Sequence, residues 1–258
     1  MTSTHSSSTP SDQELIAHLR HQLQQTQALA TLGELTGTAT HEFNNVLMTI
    51  LNYAKLGLRH NDEATREKAL TKILSAAERA ATISRTILAT ARNRGDDFEP
   101  TDLASIVNDS MTLLERELRQ YRIAVELDLQ DVPAARANGN QIQRVLLNLI
   151  INARQAMPDG GTVCIGLKAS DEGDAVVLSV RDSGCGIAQD QLRHIFDPFF
   201  STKKGPDATG KGGTGLGLSA CRDIIQAHGG RIRVESTVGR GTAFIIRVPI
   251  AKQESAAA

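Results

Sequence analysis

The hexapeptide Asn148-Leu149-Ile150-Ile151-Asn152-Ala153 places two asparagines four residues apart in an otherwise apolar run. The run from Gln141 to Met157 is predicted to be a helix. Residues four apart lie one turn apart, so both amides project from the same face of that helix. An amide in an apolar helix costs free energy unless it has a partner. The pair therefore indicates either buried hydrogen bonds between helices or a polar site.

Two glycine-rich stretches follow the hexapeptide. The first is Asp182-Ser183-Gly184-Cys185-Gly186, and the second is Gly213-Thr214-Gly215-Leu216-Gly217-Leu218, which opens a helix predicted over 216–228. Glycines let backbone N–H groups approach phosphates, and a helix N-terminus favours phosphate charge. Glycine strings also occur in ordinary turns and in close packing, but three motifs in this order indicate a nucleotide site. The pattern lacks the Gly-Lys-Ser/Thr ending of a Walker loop.

Helices and strands alternate around these motifs. A helix is predicted over 103–118, and Ile123, Val125, Leu127 and Leu129 alternate with polar residues as in a half-buried strand. Further strands are predicted at 163–169, 175–180, 232–235 and 243–248. We therefore expect residues 101–250 to form a two-layer α/β sandwich, with 251–258 as a tail.

The first part of the chain differs from the rest in composition and periodicity. Residues 1–11 are rich in Ser and Thr and are predicted to be disordered. Helices are predicted over 12–59 and 63–94, with a turn at Asn61-Asp62. Leucines form an imperfect helical stripe at positions 15, 19, 23, 29, 32 and 35. Residues 12–94 are expected to form a helical dimerisation and histidine phosphotransfer domain. A hairpin of two helices buries too little surface alone, so we expect a homodimer through residues 28–94 that forms a four-helix bundle. Residues 95–100 read as a linker, and the fold class is α+β.

Composition excludes several classes of protein. The 258 residues include 28 basic and 29 acidic side chains, a balance that argues against a nucleic-acid partner. The longest apolar runs are too short to span a bilayer, and residues 1–10 are no secretory signal, so a cytoplasmic protein without membrane insertion is expected. The three cysteines are far apart, which argues against disulfides and a zinc site.

A further motif, Thr40-His41-Glu42-Phe43-Asn44-Asn45, lies on the first predicted helix. Together with the three later motifs it resembles the sensor histidine kinases of two-component signalling, and the resemblance covers nearly all of the chain after residue 28. It implies a HisKA-type dimerisation domain and a Bergerat-type ATP-binding domain. It also implies a homodimer that uses ATP and Mg²⁺ to phosphorylate His41, responds to an upstream sensor protein, and passes the phosphoryl group to the receiver domain of a separate response regulator.

The resemblance assigns roles to residues of the ATP site. Asp182 would accept a hydrogen bond from the adenine amino group, with Gly184 and Gly186 letting the base sit close. Asn152 would ligate Mg²⁺, with Asn148 near the phosphates. Residues 196–200 resemble the phenylalanine box of the family, and 201–212 resemble its lid over ATP. The other expected nucleotide contacts are Ile187, Lys203, Lys211, Gly213, Thr214, Gly215, Leu216 and Gly217.

The resemblance also assigns roles beside His41. Glu42 would orient the imidazole and act as base, and Asn45 would position water in a second, phosphatase activity on the regulator. Two departures from the family are visible. Val46 stands where many members have proline, and Gln155 stands where some relatives have a lysine, so phosphate charge would fall to Lys203, Lys211 or Arg154.

Two alternatives stay open. A pseudokinase would bind ATP and regulate a partner without phosphotransfer. A hydrolysing ATPase would need a base for water, and ATPases of this fold carry glutamate at the first position of an ExxxN pattern. Asn148 stands at that position here, which makes hydrolysis the weakest of the three readings.

Overall fold

A computed structural model describes residues 39–91, 97–201 and 215–251. The predicted leucine stripe and the other expectations for residues 1–38 lie outside these ranges. Helix α1 covers residues 39–59 of the described chain, and α2 covers Glu63–Ala91. Asp62 caps α2, because its Oδ1 accepts a hydrogen bond from the Thr65 N–H at 2.8 Å. Gly57 packs on Ala69 near this turn and Glu42 meets Arg79 far from it, so the helices form the predicted antiparallel hairpin.

The second half of the chain is a sheet covered by helices. Its helices are α3 (Leu103–Gln120), α4 (Gly139–Gln155) and α5 (Gly217–Ala227). Its strands are β1 (Glu99–Thr101), β2 (Ile123–Leu129), β3 (Ala135–Ala137), β4 (Gly161–Ala169), β5 (Ala175–Asp182), β6 (Arg231–Thr237) and β7 (Gly241–Pro249). Asp102 caps α3 and Asn138 caps α4 through side-chain oxygens that accept backbone N–H groups. The predicted two-layer sandwich is confirmed.

The main sheet has five strands in the order β2-β4-β5-β7-β6, and only β2 and β4 run parallel. Alternate residues of its central strands face the helices. Val180 of β5 pairs with Ile165 of β4 and Phe244 of β7, and all three side chains are buried. They belong to one core with the buried faces of α3, α4 and α5. Among the described residues, no helix combines the length and apolar composition needed to cross a membrane.

The end of the predicted linker is part of the fold. Glu99 and Pro100 belong to β1, which pairs antiparallel with β3 in a two-stranded ribbon. The 95–100 linker prediction therefore extends too far, because a three-residue strand containing proline carries no readable alternation. Phe98, just before the ribbon, packs edge-on against the His228 ring at 4.7 Å between ring centroids.

The His228 side chain connects the C-terminal end of α5 to the N-terminal end of α4. Its Nδ1–H donates to the Ile224 carbonyl at 2.7 Å, and its Nε2 accepts the Asn138 N–H at 3.0 Å. Both ring nitrogens are thus satisfied by the neutral imidazole. The side chain is 1% exposed, and burial lowers the pKa of His228 below its ordinary value.

Candidate functional site

Asp182 ends strand β5 with its side chain buried in the sandwich. Its Oδ1 accepts the Gly184 N–H at 2.9 Å and the Thr242 N–H at 3.2 Å. Within the described part of the chain no hydrogen bond reaches Oδ2. Burial raises the pKa of the Asp182 carboxyl, while the two backbone hydrogen bonds oppose that shift. One oxygen is thus fixed by the protein and the other is available to a polar group of a ligand.

The loop after Asp182 is tied to its surroundings through its backbone. The Cys185 N–H donates to the Ala156 carbonyl at 3.1 Å, the Cys185 carbonyl accepts the Gly239 N–H at 2.8 Å, and the Ile187 N–H donates to Ser236 Oγ at 2.8 Å. These bonds connect the loop to the end of α4 and to the β6–β7 hairpin. They fix the position of Asp182 and of the predicted nucleotide contact Ile187.

The loop glycines make room for the protein's own backbone. A Cβ on Gly184 would lie 2.6 Å from the Ala156 carbonyl oxygen. Gly186 has φ +71°, a left-handed conformation that residues with a Cβ disfavour, and a Cβ there would overlap the Thr237 backbone. The sequence interpretation had these glycines making room for a base. In the structure, close packing of the loop is already sufficient reason for both.

Gly241 and Thr242 belong to this site and were missed from the sequence. Gly241 has φ +107°, and a Cβ there would overlap the Asp182 carbonyl oxygen. Thr242 is buried, and its N–H holds Asp182 Oδ1. The available signal was Gly239-Arg240-Gly241-Thr242 between two predicted strands, a turn that brings glycine and a backbone donor to the sheet edge.

The two asparagines of α4 have different environments. Asn148 is 9% exposed, and its Nδ2 donates to Cys221 Sγ on α5 at 3.8 Å. Burial raises the pKa of the Cys221 thiol to about 12, so this partner is neutral. Asn152 is half-buried, and its side chain makes no hydrogen bond to the described residues. Asn148 thus makes the buried helix–helix contact that the sequence left open, whereas the Asn152 amide is available to a ligand.

Helix α5 begins beside Asn148. A Cβ on Gly217, its first residue, would lie 3.9 Å from Asn148 Oδ1. The N-cap residue Leu216 has no side-chain acceptor and so does not itself cap the first N–H groups of α5. A helix N-terminus of this kind favours an anion. The structure therefore places Asn148 next to the first residue of α5.

Four predicted contacts, Lys203, Lys211, Gly213 and Thr214, lie outside the described residues, as does most of the predicted lid. Both flanks of that segment are described, and they meet. Phe199 is exposed with φ +65°, and Gly215 has φ +68°. A Cβ on Gly215 would lie 2.5 Å from the Phe199 carbonyl carbon, so glycine is required there by packing as well as by conformation.

Arg154 is not placed to supply phosphate charge. Its Nη1 pairs with Glu117 Oε1 on α3 at 2.8 Å, and its guanidinium stacks over the Tyr121 ring at 4.8 Å. Both contacts direct the side chain towards α3 and leave it largely buried. Of the three cations predicted from the sequence, Lys203 and Lys211 remain.

On α1, His41 is exposed and Glu42 is buried. Glu42 Oε2 accepts from Arg79 Nη2 of α2 at 3.1 Å, and Oε1 lies 3.7 Å from Arg116 Nε of α3. The expected contact of Glu42 with the His41 imidazole is therefore wrong for this conformation. Adjacent residues on a helix diverge by about 100°, which sends one side chain to solvent and the other inward.

Asn45 lies one turn after His41 and reaches the same carboxylate. Its Nδ2 is 3.5 Å from Glu42 Oε1. Asn45 and Thr49 line a cleft of about 500 Å³ between the helical hairpin and α3, where Lys72 and Arg119 also lie. No sequence pattern indicates this cleft, because α3 approaches α1 only through the tertiary fold.

Comparisons with known proteins show which family the chain resembles. Residues 137–252 match the HATPase_c family, described as Histidine kinase-, DNA gyrase B-, and HSP90-like ATPase. The sensor kinase CckA of Brucella abortus (strain 2308) is 37% identical over 246 residues, which cover 90% of this chain and 25% of that protein. The chain spans 25% to 49% of the length of eight curated relatives that it matches.

The solved structures that resemble the chain include two of the histidine kinase ThkA. The nucleotide-free catalytic domain of the histidine kinase ThkA is 33% identical with a TM-score of 0.51, and the match covers 59% of this chain and 97% of that one. The histidine kinase ThkA in complex with the response regulator protein TrrA is 28% identical with a TM-score of 0.50, and that match covers 89% of this chain and 65% of the other.

Proposed function

The chain belongs to the sensor histidine kinases, and from that premise we propose that it is an ATP-dependent protein histidine kinase that phosphorylates its own His41. The observation that carries the proposal is the combination of an exposed His41 on the helical hairpin with a buried Asp182 in a domain of the HATPase_c type in the same chain. An aspartate of a separate response regulator then receives the phosphoryl group. The ThkA–TrrA complex supports a partner of this class.

ATP binds with its adenine amino group on Asp182. The free Oδ2 supports this, because the amino group is a donor and the ionised carboxylate is an acceptor. The phosphates lie towards Asn148 and the N-terminus of α5, whose dipole favours their negative charge. Lys203 and Lys211 supply positive charge from the predicted lid.

Mg²⁺ fits the donors of α4. Magnesium prefers oxygen ligands and commonly takes only one or two from protein, with phosphate and water completing the set. The half-buried Asn152 amide, with no hydrogen bond to other described residues, suits that single position. When bound, the ion would neutralise charge that develops on the phosphates. No cluster of three His, Cys, Asp or Glu able to hold a metal occurs among the described residues.

Phosphotransfer forms a bond between an imidazole nitrogen of His41 and the γ-phosphorus. The bond from that phosphorus to the bridging oxygen breaks, and ADP leaves. A base must hold the imidazole tautomer and accept its proton, and Glu42 is the nearest carboxylate in sequence. Asn45 serves a second, phosphatase activity by positioning a water that attacks the phospho-aspartate of the regulator and releases inorganic phosphate. The need for ATP supports a cytoplasmic location, and an upstream sensor protein provides the input.

The active form is a homodimer through the helical hairpin. Large apolar side chains stay exposed on both of its helices. They are Leu47, Met48, Leu51, Leu58, Leu70, Leu74 and Leu88. Leu47, Leu51 and Leu58 recur at spacings of four and seven on α1, which places them on one stripe. Leu70, Leu74 and Leu88 recur at spacings of four and fourteen on α2 and form a second stripe. A second hairpin would cover both stripes and complete a four-helix bundle.

A chase experiment tests the function. The protein is labelled with γ-³²P-ATP, freed of nucleotide, and mixed with a receiver domain or with the same domain carrying asparagine for its acceptor aspartate. We expect label to leave the kinase only with the first domain. ATP binding without any labelling would instead identify a pseudokinase.

A further inference from the structure

The Glu42 carboxylate connects both halves of the molecule. Its side chain is 4% exposed, and it lies between Arg79 of the helical hairpin and Arg116 of the ATP-binding half. Arg79 Nη2 also donates to the Thr112 carbonyl of α3 at 3.2 Å. We use the term Glu42 latch for these three side chains, the buried Glu42 carboxylate and the partly exposed Arg79 and Arg116 that share it.

The latch occupies the group that phosphotransfer needs. Oε2 accepts from Arg79 at 3.1 Å, while Oε1 faces Arg116 at 3.7 Å and Asn45 at 3.5 Å. The Glu42 carboxylate is directed inward to the two arginines, while the His41 side chain is exposed. Glu42 reaches the imidazole only after it leaves the arginines.

We infer that Arg116 and Arg79 are positioning residues that hold Glu42 away from His41, so that autophosphorylation requires movement of the ATP-binding half to open the latch. This inference rests on the proposed function. Arg116 is the informative partner, because it lies on α3 and moves with the ATP-binding half, whereas Arg79 stays with Glu42 in the hairpin. The device couples the position of that half to the availability of the base.

The same junction has a second direct contact. Gln143 Nε2 on α4 donates to Thr86 Oγ1 on α2 at 3.5 Å. This hydrogen bond involves neither His41 nor Glu42, so the two halves keep a contact when the latch is removed. Loss of the latch should therefore shift the docking equilibrium without abolishing it.

The test compares Arg116→Gln with Arg119→Gln. Arg119 lies one turn further along α3 and pairs with Glu115 on its own helix, so it is a matched control. Arg116→Gln should raise the initial rate of His41 labelling about two- to fivefold, the factor that a partly exposed ion pair contributes, with unchanged ATP affinity. Arg116→Lys should restore the slower rate, and Arg119→Gln should leave it unchanged.

A second readout does not require kinase activity. Trypsin can cut after Arg92 or Arg94, between the two halves, and the cleavage rate follows the undocked population when cleavage is slow. Arg116→Gln should raise it by a similar factor. Equal cleavage of Arg116→Gln and Arg119→Gln would overturn the latch. Faster cleavage without faster labelling would overturn its role in restraining His41. Faster cleavage of a protein that never labels would support the latch and reject the proposed function.

Discussion

Replacement of Asp182 by asparagine should separate ATP binding from folding. The asparagine Oδ1 keeps the acceptor position for the Gly184 and Thr242 N–H groups, but an NH₂ replaces the oxygen that faces the ligand. A hydrogen bond to a charged group contributes about 1.5–3 kcal/mol. Its loss should weaken ATP binding roughly 10- to 150-fold, and two donors facing each other add to the effect.

The Asp182→Asn substitution should have a much smaller effect on the free energy of unfolding than on ATP binding. Because the pKa of folded Asp182 is raised above that of the unfolded chain, the folded state binds its proton more tightly, and this group destabilises the fold as the pH rises through that window. Asparagine carries no charge to bury, so the free energy of unfolding of Asp182→Asn at pH 7 should stay within about 1 kcal/mol of wild type. The pH-dependent loss from this group should disappear.

Titration calorimetry with ATP and urea unfolding measure the two effects. Asp174→Asn is the matched control, since Asp174 lies before the opposite end of β5, where it pairs with Arg247 at 2.8 Å. Its ATP affinity should equal that of wild type. Unchanged ATP affinity in a folded Asp182→Asn protein would refute the adenine assignment.

Three other predictions concern packing, assembly and pH. Gly173→Ala should cost about 1–2 kcal/mol in urea unfolding for its left-handed φ alone, and Gly215→Ala should cost more because its Cβ would also lie 2.5 Å from backbone. Leu51→Glu should raise the dimer dissociation constant, measured by light scattering, at least about tenfold, because it buries a charge in the bundle. Leu127→Glu on β2, outside the hairpin, should leave that constant unchanged. A monomeric wild type would contradict the bundle. The pKa of His228 is lower in the folded protein than in the unfolded chain, so its contribution to stability is complete above the unfolded-state pKa and is lost as the pH falls towards the folded-state pKa. Wild type should therefore lose more free energy of unfolding than His228→Gln between pH 7.5 and 5.5. Equal losses in the two proteins would contradict this prediction.

The elements of the sandwich were predictable because their periodicities are local. Alternation from Ile123 to Leu129 and the apolar run of α4 each follow from a face that packs on one core. Strands β1 and β3 were missed because three residues carry too little pattern, and β1 contains Pro100. The partner of a short strand is set by tertiary packing, which sequence spacing does not encode.

In the candidate site, too, residues in local motifs were predictable from the sequence, whereas their distant partners were not. Asp182 stood out through its glycine neighbours, but Thr242 holds the same carboxylate from 60 residues away. The role of Glu42 was inferred from His41 next to it, whereas its partner Arg79 is 37 residues distant and Arg116 belongs to the other half of the chain. Contacts between elements decide where a side chain points, so adjacency in sequence was a poor guide to the Glu42 contact.

The most direct test of the account is the chemistry of the labelled residue. Wild type and His41→Gln are incubated with Mg²⁺ and γ-³²P-ATP, and each protein is then treated with acid or base. We expect label only in wild type, and we expect acid to remove it while base does not, as for a phosphohistidine. Label that persists in His41→Gln, with ATP binding equal in both proteins, would contradict His41 as the phosphoacceptor.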